Sequence, residues 1–373
     1  MDRYLTSCIH SDLSEKMVFL GGPRQVGKAT IALTLLGADS EDHPGYFNYD
    51  FAEMRHSILK GQFPSDETLI VLDEIHKHKD WRNLIKGFYD IMKSRHSFLI
   101  TGSARLDYYR RGGDSLQGRY HYLRLHPLHL DEVDDFDTLL KLGGFPEPFL
   151  SGDKRSWKRW QNERRKRVLQ EDLISMESVR EVSQVDLLAT SLPERVGSLL
   201  SVKNLAKDLK VAFETADRWI QILENLYYCF RIQPWASKKL QSTKKERKVY
   251  MWDWSLCQNP GSRIENFVAS YLLKYCHFRE DYYGENIELR FLRDREQREI
   301  DFLLVKDGVP FAGFECKSQS KTIAPHLSYF SERLDIPQYF QLHQGDQDYQ
   351  SKDGRIRCMP VTRLAQLLPL DAS

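Results

Sequence analysis

A short stretch near the amino terminus has the residue types and spacing that bind phosphate. It reads Gly22, Pro23, Arg24, Gln25, Val26, Gly27, Lys28, Ala29 and Thr30. This is a Walker A match through Lys28, because glycines let successive backbone N–H groups point at phosphate oxygens while the lysine reaches the β- and γ-phosphates. An apolar strand at 17–22 precedes the loop and a helical stretch at 29–36 follows it. The stretch is therefore predicted to bind ATP.

A second motif supplies the groups that such a loop needs for hydrolysis. The apolar strand at 68–74 ends in Asp73 and Glu74. Asp73 is placed to hold Mg²⁺, usually through water, and Glu74 is placed to activate the attacking water. A glycine-rich turn followed by an unrelated acidic strand end is the weaker interpretation, because both motifs occur in the strand context that nucleotide binding requires.

One position departs from the usual pattern. The residue after the lysine normally carries the hydroxyl that binds Mg²⁺, and here it is Ala29. The side chain of Thr30 points about 100° further around the helix, so it can approach phosphate but should not replace the lost ligand. We expect nucleotide binding to be kept and turnover to be impaired.

Two polar side chains and several arginines follow the next strand. The strand at 97–103 contains Thr101 and Ser103 near its end, where a polar residue between the two motif strands could sense the γ-phosphate. A simple strand-end cap explains these residues equally well. The candidates for a charge-stabilising arginine finger are Arg105, Arg111 and Arg119.

The carboxy-terminal part carries a second set of chemically suited residues. Strands are predicted at 299–305 and 310–317, with a turn at Asp307-Gly308 that sets Asp301 across from Glu315. Lys317 lies two residues further on the same strand face, and the helical Glu265 could supply a third acid. We expect Mg²⁺, with Mn²⁺ as an alternative, to be bound by Asp301, Glu315, Glu265 and the Cys316 carbonyl. A hairpin with ordinary surface charges is the competing interpretation.

The middle of the chain reads as a helix-turn-helix followed by a basic loop. The two helices cover 201–211 and 214–226, and the loop at 238–248 would be the wing of a winged helix. Its basic residues, including Lys244, Lys245, Arg247 and Lys248, could bind phosphates without sequence preference, helped by the basic run at 154–167. The second helix is acidic and a poor base reader. A solvated charged face is an equally good interpretation.

Composition limits the class of protein. The chain has 373 residues and a net charge of +1, so we expect two or three domains and no global attraction to nucleic acid or to a membrane. Neither a signal peptide nor an apolar run of membrane-spanning length is evident in the sequence. Six scattered cysteines without a C-x-x-C pair favour reduced thiols and a cytoplasmic location.

The elements that must position these residues follow an α/β pattern. Strands alternate with helices over residues 1–150, which predicts a parallel sheet covered by helices. A helical part follows from 154 to 230, and the pattern changes again beyond about 256, where one helix at 262–275 precedes the two strands named above. The predicted domains are 1–150, 151–255 and 256–373, with the turn-forming segment at 143–148 as an edge.

Several motifs in this order resemble one prokaryotic family, the AAA-type P-loop ATPases followed by a conserved C-terminal domain of unknown function. The motifs are GPRQVGKAT (22–30), VLDEIHK (71–77), ITGSARLD (100–107), SLQGRY (115–120), GGFPEP (143–148) and KVYMWDWSL (248–256). The resemblance implies an AAA-type ATPase domain, a winged-helix segment and a C-terminal α/β core like that of restriction endonucleases and other PD-(D/E)XK nucleases. Arg119 in SLQGRY matches the recurrent Gly-Arg of this family, so the resemblance favours it over the other arginines as the finger.

Two functions are compatible with these features. The first is an ATP-regulated, nucleic-acid-processing enzyme with a metal-dependent nuclease domain. The set Asp301, Glu315 and Lys317 favours it. The second is a nucleotide-switched signalling or scaffold protein that binds protein partners, for which Ala29 and the acidic second helix speak. Nucleic acid bound without sequence preference, with DNA favoured, is the expected partner, membranes are not, and a homo-oligomer is compatible with the sequence.

Overall fold

The computed structural model describes residues 3–102, 106, 116–173, 181–236, 246–318 and 322–371. The chain forms two compact units. The first contains residues Met1–Pro127, with Asn225–Tyr227 and Asp371–Ser373, and the second contains Leu128–Glu224 and Tyr228–Leu370. The sequence-based division at 150 and 255 stays a prediction; both positions lie inside the second unit.

The first unit is built on a parallel sheet, as the alternation of strands and helices predicts. Its strands are β1 (Met17–Gly21), β2 (Tyr46–Asn48), β3 (Leu69–Asp73), β4 (Ser97–Thr101) and β5 (Tyr120–Arg124). In the described part of the chain they are ordered β2-β3-β4-β1-β5. Strand β4 therefore lies between β1, which leads into the Walker A loop, and β3, which ends in Asp73. All these strands are hydrogen-bonded in parallel.

Helices of the first unit cover this sheet. They are α1 (Thr6–Asp12), α2 (Lys28–Leu36), α3 (Ala52–Lys60) and α4 (Trp81–Met92). In α4 the buried residues are Trp81, Ile85 and Phe88, which are spaced four and three residues apart and so share one face. That face packs on the strands through residues such as Phe98 and Ile100. Burial of this apolar stripe explains why α4 forms against the sheet.

The second unit begins with helices. They are α5 (Phe136–Leu142), α6 (Pro146–Ser151), α7 (Lys154–Lys166), α8 (Val182–Ser191), α9 (Val202–Asp208) and α10 (Phe213–Asn225), with a π-helix at Arg167–Asp172 after α7. The segment predicted as a turn thus contains the start of α6, where Pro146 occupies the first turn. Both predicted helices of the helix-turn-helix, α9 and α10, are confirmed.

The basic run at 154–167 forms α7, but one of its arginines is not available to nucleic acid. Arg164 is buried, and its guanidinium lies 4.2 Å from the ring centre of Phe145 and 5.6 Å from that of Trp160. Periodicity explains this placement, because Trp160 and Arg164 are four residues apart and face the core together. The other described basic side chains of α7 that are exposed remain candidates for phosphate contacts.

Strands of the second unit form one mixed sheet. They are β6 (Leu199–Leu200), β7 (Cys229–Pro234), β8 (Arg247–Met251), β9 (Ile287–Arg293), β10 (Glu299–Lys306), β11 (Val309–Cys316), β12 (Gln338–His343), β13 (Tyr349–Gln350) and β14 (Ile356–Pro360). Within the described ranges their order is β13-β14-β12-β11-β10-β9-β7-β8-β6. The sheet is antiparallel from β9 to β11 and parallel from β11 through β12 to β14.

The hairpin of β10 and β11 has the predicted turn. Lys306 pairs with Val309 across Asp307 and Gly308, whose φ angles are 50° and 83°. A two-residue turn with both central residues at positive φ is of the tight hairpin type that matches strand twist. An irregularity between Leu304 and Val305 shifts the register once, and beyond it the strands run on to the acidic residues.

The described part of the second unit also contains the helices α11 (Pro260–Tyr283), α12 (Pro325–Arg333) and α13 (Leu364–Leu367). Helix α11 extends well beyond the predicted 262–275, because Asn259 caps its start and Gly284 ends it in the left-handed region. The chain after α11 contains more than the two predicted strands, since β9, β12, β13 and β14 join them. Among the helices that the structure describes, none is both long enough and apolar enough to cross a membrane.

Candidate functional site

The phosphate-binding loop connects β1 to α2 through unusual backbone angles. Gly22 has φ 148° and Gly27 has φ 103°, and Gln25 between them has φ 62°. A Cβ atom on Gly22 would lie 2.5 Å from the carbonyl oxygen of Leu125, so only glycine fits at this point. The loop thus curls tightly before α2 begins at Lys28, with its backbone N–H groups near a helix amino terminus.

The Walker A lysine is turned into this loop. Lys28 is 7% exposed, and its Nζ donates to the carbonyl oxygens of Gly22 at 3.0 Å and Pro23 at 2.8 Å. A residue outside the motif braces the loop from behind, because Arg3 Nη1 donates to the Val26 carbonyl at 2.6 Å and Nη2 to the His126 carbonyl at 2.6 Å. The lysine ammonium is therefore held on the loop.

Two hydroxyl groups hold the carboxylate of Asp73. Tyr46 Oη donates to Oδ2 at 2.8 Å, and Thr101 Oγ1 makes a short hydrogen bond to Oδ1. Thr101 pairs with Asp73 in the sheet and both are buried. Burial, together with the neighbouring Asp73 carboxylate, raises the pKa of the Tyr46 hydroxyl, which keeps it a hydrogen-bond donor. Asp73 is thus fixed at the carboxyl end of β3. Only β4 lies between β3 and β1, the strand that leads into the phosphate-binding loop.

Glu74 follows Asp73 in the left-handed conformation, with φ 56°. Its Oε2 lies 3.4 Å from Lys77 Nζ and 3.7 Å from His76 Nε2. Lys77 also pairs with Asp50 at 2.5 Å. Burial lowers the pKa of His76, so this ring is a neutral neighbour at pH 7. Lys77 is therefore the cation that competes for the carboxylate predicted to activate water.

Of the remaining predicted residues of this site, some are exposed or lie away from the loop, and others lie outside the described part of the chain. Thr30 is exposed on α2, and Ser103, Arg105 and Arg111 lie outside the described residues. Arg119 immediately precedes β5 and pairs with Asp90, Nε to Oδ1, at 2.9 Å. Because β5 is parallel to β1, Arg119 lies at the edge of the sheet opposite the loop. It therefore lies away from the phosphate-binding loop of its own chain.

In the second unit, acidic side chains from several elements converge on one lysine. Lys248 on β8 is 1% exposed, and its Nζ lies 3.5 Å from Glu265 on α11 and 3.7 Å from Asp301 on β10. A short ion pair joins it to Glu299. Tyr250, two residues along β8, donates from its hydroxyl to Glu265 at 2.8 Å. Despite burial, these carboxylates hold the pKa of Lys248 above its usual range.

Two of these acids lie where the hairpin was predicted to put them. Phe302 pairs with Phe314, so Asp301 and Glu315 occupy the next opposed position. Asp301 Oδ2 accepts a hydrogen bond from the Cys316 N–H at 2.9 Å. Burial and the neighbouring carboxylates of Glu265 and Glu315 raise the pKa of Asp301 well above its usual value.

Glu315 has different partners. Its Oε1 lies 2.7 Å from Lys317 Nζ and 2.9 Å from His326 Nε2. Burial alone would raise the pKa of Glu315, but the hydrogen bonds from His326 and Lys317 outweigh it and lower the pKa. Lys317 is half-exposed and lies on the acid side of the hairpin, as predicted, rather than pointing away from both acids.

The predicted metal site is nevertheless not assembled. Among the described residues, no three His, Cys, Asp or Glu side chains are arranged to hold a metal ion. The physical reason is that the ammonium of Lys248 occupies the centre of the acids, while Glu315 faces Lys317 and His326. It is the N–H of Cys316, and not its carbonyl, that contacts Asp301.

Sequence reasoning missed several members of this cluster, and it misplaced one. The prediction that Lys248 belongs to the basic wing is wrong, because Lys248 is buried and cannot bind nucleic acid. The alternation Lys248-x-Tyr250, like Glu299-x-Asp301, places each pair on one strand face and could have suggested them. Gly197, with φ 79°, was missed too; a Cβ there would lie 2.6 Å from the Glu265 carboxylate.

The second helix of the helix-turn-helix is less acidic at its surface than its sequence suggests. Arg231 on β7 pairs with Asp217 at 2.7 Å and with Glu224 at 2.8 Å, and its side chain is 4% exposed. Arg218 and Gln221 are exposed on the same helix. The wing residues Lys244 and Lys245 lie outside the described part, while Arg247 is exposed at the start of β8.

Comparison with known protein families divides the chain into three consecutive parts. Residues 14–134 match an AAA domain, residues 133–260 match a domain of unknown function (DUF8612), and residues 260–364 match another domain of unknown function (DUF4143). The match over 14–134 agrees with the loop, the acidic strand end and the strand order described above. Residues 14–134 are thus an AAA-type P-loop domain, and a DUF4143 match follows at residues 260–364.

Individual relatives are distant and uncharacterized. The chain is similar to the uncharacterized protein Rv2008c of Mycobacterium tuberculosis, with 26% identity over 84% of this chain and 72% of that protein. It is also similar to the uncharacterized protein MJ1544 of Methanocaldococcus jannaschii, with 22% identity over 78% of this chain and 73% of that protein. A Holliday junction branch migration motor, RuvB of Thermotoga maritima, superimposes with 16% identity over 61% of this chain and 87% of its own. The TM-score of this superposition is 0.28.

Proposed function

We propose that this chain is a slow, ATP-dependent switch that acts on nucleic acid through its second unit. The observation that carries the proposal is the loop between β1 and α2, where Lys28 Nζ is held by the carbonyl oxygens of Gly22 and Pro23. Those hydrogen bonds are the ones that phosphate oxygens would replace, since an ammonium binds a phosphate more strongly than a neutral carbonyl. The residues present fit ATP, whose terminal phosphate supplies the bond to be hydrolysed.

The surroundings of the loop favour binding over turnover. Ala29 supplies no hydroxyl for Mg²⁺, so Asp73 is left as the acid that would hold the ion through water. Asp73 already accepts hydrogen bonds from Tyr46 and Thr101, and the Glu74 carboxylate lies 3.4 Å from Lys77. Each of these features slows hydrolysis and prolongs the ATP-bound state.

The helical part of the second unit supports a winged helix. Its order, from α8 to β6, α9, α10, β7 and β8, places two helices between β6 and β7, and both of these strands pair with β8. The acids Asp217 and Glu224 are engaged by Arg231. Arg218 and Gln221 lie on the exposed side of α10, where the Gln221 amide also donates to Asp217 at 2.8 Å. Side chains of these types contact phosphates and base edges. We infer that α10 and the segment preceding β8 bind nucleic acid, with DNA favoured.

Phosphodiester cleavage by the carboxy-terminal part is the second candidate function. The order of α11, β9, β10, β11, α12 and β12, with Asp301 opposed to Glu315 and Lys317 beside it, resembles a PD-(D/E)XK nuclease core. Such cores act through a divalent metal. The residues do not fit that ion in this conformation, because Lys248 occupies the centre of the acids. The cluster as it stands therefore supports no metal-dependent cleavage step.

Protein binding under nucleotide control is the remaining alternative. It would use the same AAA-type domain, and it would make the second unit a docking module. Nucleic-acid binding and protein binding differ in the partner that the second unit binds. Only the nucleic-acid function predicts a complex with DNA or RNA whose affinity falls as the salt concentration rises.

The test measures nucleotide binding and nucleic-acid binding separately. Fluorescent ATP should bind the wild-type protein and not Lys28→Ala, and labelled single- and double-stranded DNA and RNA should then be titrated with and without ATP. Loss of nucleic-acid affinity in all forms would leave the protein-binding alternative. Products should also be sought with Mg²⁺ and with Mn²⁺. If cleavage occurs, Asp301→Ala and Lys317→Ala should abolish it, and persistence in both variants would exclude this site.

A further inference from the structure

A buried cation lies at the centre of the acids in the second unit. The ammonium of Lys248 is surrounded by the carboxylates of Glu265, Glu299 and Asp301, and the ring of Phe291 lies 5.5 Å from it. Moving an ammonium out of water is unfavourable unless it is paired and hydrogen-bonded. The surrounding carboxylates provide that pairing, so the lysine is an integral part of the cluster.

The cluster also contains a carboxylate oxygen that lacks a donor. Glu315 is 4% exposed. Its Oε1 faces Lys317 and His326, but its buried Oε2 has no hydrogen-bond partner among the residues that the structure describes. Glu315 lies opposite Asp301 in the hairpin. A buried oxygen without a donor is unfavourable by about 1–3 kcal/mol, and a cation on this side would remove that deficit.

We propose that Lys248 takes the place of a divalent cation in this cluster, and that a Mg²⁺ or Mn²⁺ site formed by Glu265, Asp301 and Glu315 is latent beneath it. With the lysine present the chain does not bind a divalent metal here. When the ammonium is removed, the oxygen ligands that these metals prefer are left facing one another without a cation.

Distances support this view. Carboxylate oxygens bind Mg²⁺ at about 2.0–2.1 Å, whereas the Glu265 and Asp301 oxygens lie 3.5 Å and 3.7 Å from Lys248 Nζ. An ammonium is larger than the bare ion and has only three donors, so it holds the carboxylates of Glu265 and Asp301 at these longer distances. A metal in its place would draw them inward and bring Glu315 Oε2 into the site.

The inference is independent of the nucleotide and nucleic-acid functions proposed above, since it concerns direct binding of a metal to the second unit. The experiment uses the full chain without nucleotide, in an Asp73→Asn background so that the Walker site contributes nothing. Binding of Mn²⁺ is followed by electron paramagnetic resonance. The variants are Lys248→Met, which keeps the length and apolar stem of the side chain, and Lys248→Met combined with Asp301→Asn.

The chain offers a matched control. Lys274 is also 1% exposed, and its Nζ is bonded to Asp131 at 2.7 Å and to Glu132 at 2.6 Å. Lys274→Met therefore removes an equally buried lysine that pairs with acids outside the cluster. It should gain no Mn²⁺ site, which would show that loosening of the second unit is not the cause of any gain in Lys248→Met.

The expected result is one saturable Mn²⁺ per chain in Lys248→Met and its loss with Asp301→Asn, with none in the parent protein or in Lys274→Met. A parent protein that binds one Mn²⁺ through Asp301 would overturn the proposal, as would a folded Lys248→Met that binds none. If Lys248→Met does not fold, Lys248→Gln replaces it. If neither folds alone, Mn²⁺ should restore a cooperative thermal transition, and failure to do so counts against the proposal.

Discussion

The hydroxyl of Tyr46 donates a 2.8 Å hydrogen bond to the Oδ2 atom of Asp73. Tyr46 belongs to β2 at the edge of the sheet, and Asp73 ends the neighbouring β3. Because Thr101 engages the other carboxylate oxygen, both oxygens of the acid expected to hold Mg²⁺ already have donors. Any ion that binds here must compete with these hydroxyls.

The first prediction concerns this competition. Tyr46→Phe removes one donor, so the Mg²⁺ concentration at half-maximal ATP hydrolysis should fall several-fold. The free energy of unfolding should drop by about 1 kcal/mol, the usual contribution of one hydrogen bond. Tyr49→Phe is the control, since the Tyr49 hydroxyl contacts His78 at 3.1 Å instead. An unchanged Mg²⁺ dependence in Tyr46→Phe would show that the hydroxyl only orients the acid.

The second prediction concerns the missing hydroxyl. Ala29→Thr should restore a direct Mg²⁺ ligand and raise the Mg²⁺-dependent rate, by about 10-fold or more if ligand losses at metal sites are a guide. Steady-state phosphate release at saturating Mg²⁺ measures this. Lys28→Ala should abolish nucleotide binding in either background. Equal rates for the wild-type and Ala29→Thr proteins would mean that the metal-ligand argument is wrong.

The third prediction concerns Arg119. It immediately precedes β5, about 16 Å along the strand direction from Arg124, the end that adjoins the loop, and it pairs with Asp90 at 2.9 Å. Arg119→Ala should leave ATP binding unchanged and reduce turnover strongly, since such fingers contribute about 10³-fold or more. Mixing it with Lys28→Ala should restore activity, because one chain supplies the loop and the other the finger. No recovery on mixing, at concentrations where the protein is oligomeric, would exclude Arg119 as a finger.

The fourth prediction concerns nucleic acid. Lys248 is buried and excluded from the wing, so Lys244, Lys245 and Arg247 are replaced by Ser together. If they bind phosphates of duplex DNA, the slope of log affinity against log salt should decrease by about 0.9 for each phosphate that is no longer neutralised. The control removes the same charge from the exposed residues Lys154, Arg155 and Lys158 of α7. A slope that changes only in the control would place the phosphate-binding surface on α7.

The fifth prediction concerns pH. Hydrogen bonds from Arg279 and Lys306 lower the pKa of Glu285 to about 2 from an ordinary 4.5. A lowered carboxyl pKa gives stability that is present above pH 4.5 and is lost as pH falls through 2. The pair lies near solvent, so we expect only about 0.5–1 kcal/mol. Denaturant unfolding of Glu285→Gln should show this difference at pH 7 and a smaller one toward pH 2. Glu332→Gln, at an exposed side chain, should show none.

The parts of the fold that local patterns determine were predictable. Strands β1 to β5 were expected because apolar runs alternate with helical stretches, and the hairpin of β10 and β11 because Asp307-Gly308 requires two positive φ angles. The opposition of Asp301 to Glu315 depends in addition on the register shift between Leu304 and Val305, which the turn residues do not reveal. By contrast, β12 carries Gln338 and Gln341 among aromatic residues, and this mixture hides a buried strand.

The parts that depend on distant pairing were not predictable. Lys248 is 17 residues from Glu265 in the chain and further still from Glu299 and Asp301, and only the order β9-β7-β8 brings these elements together. A charge run around Lys248 suggested a solvated loop, although its even spacing with Tyr250 is typical of a strand face. Arg164 is a similar case: it is buried because it lies four residues after the buried Trp160 on the same helix face, although the charged residues around it are typical of an exposed helix.

The sheet formed by the described strands of the second unit determines how this protein can be divided into fragments. The matches to the two domains of unknown function meet at residue 260, yet β7 pairs with β8 before that point and with β9 after it. A fragment starting at 260 would carry β9 with an open edge, which is a template for aggregation. It would also leave Glu265, Glu299 and Asp301 without Lys248. Such fragments should be poorly soluble, whereas a fragment from 128 to 370 keeps the sheet and its internal cation together.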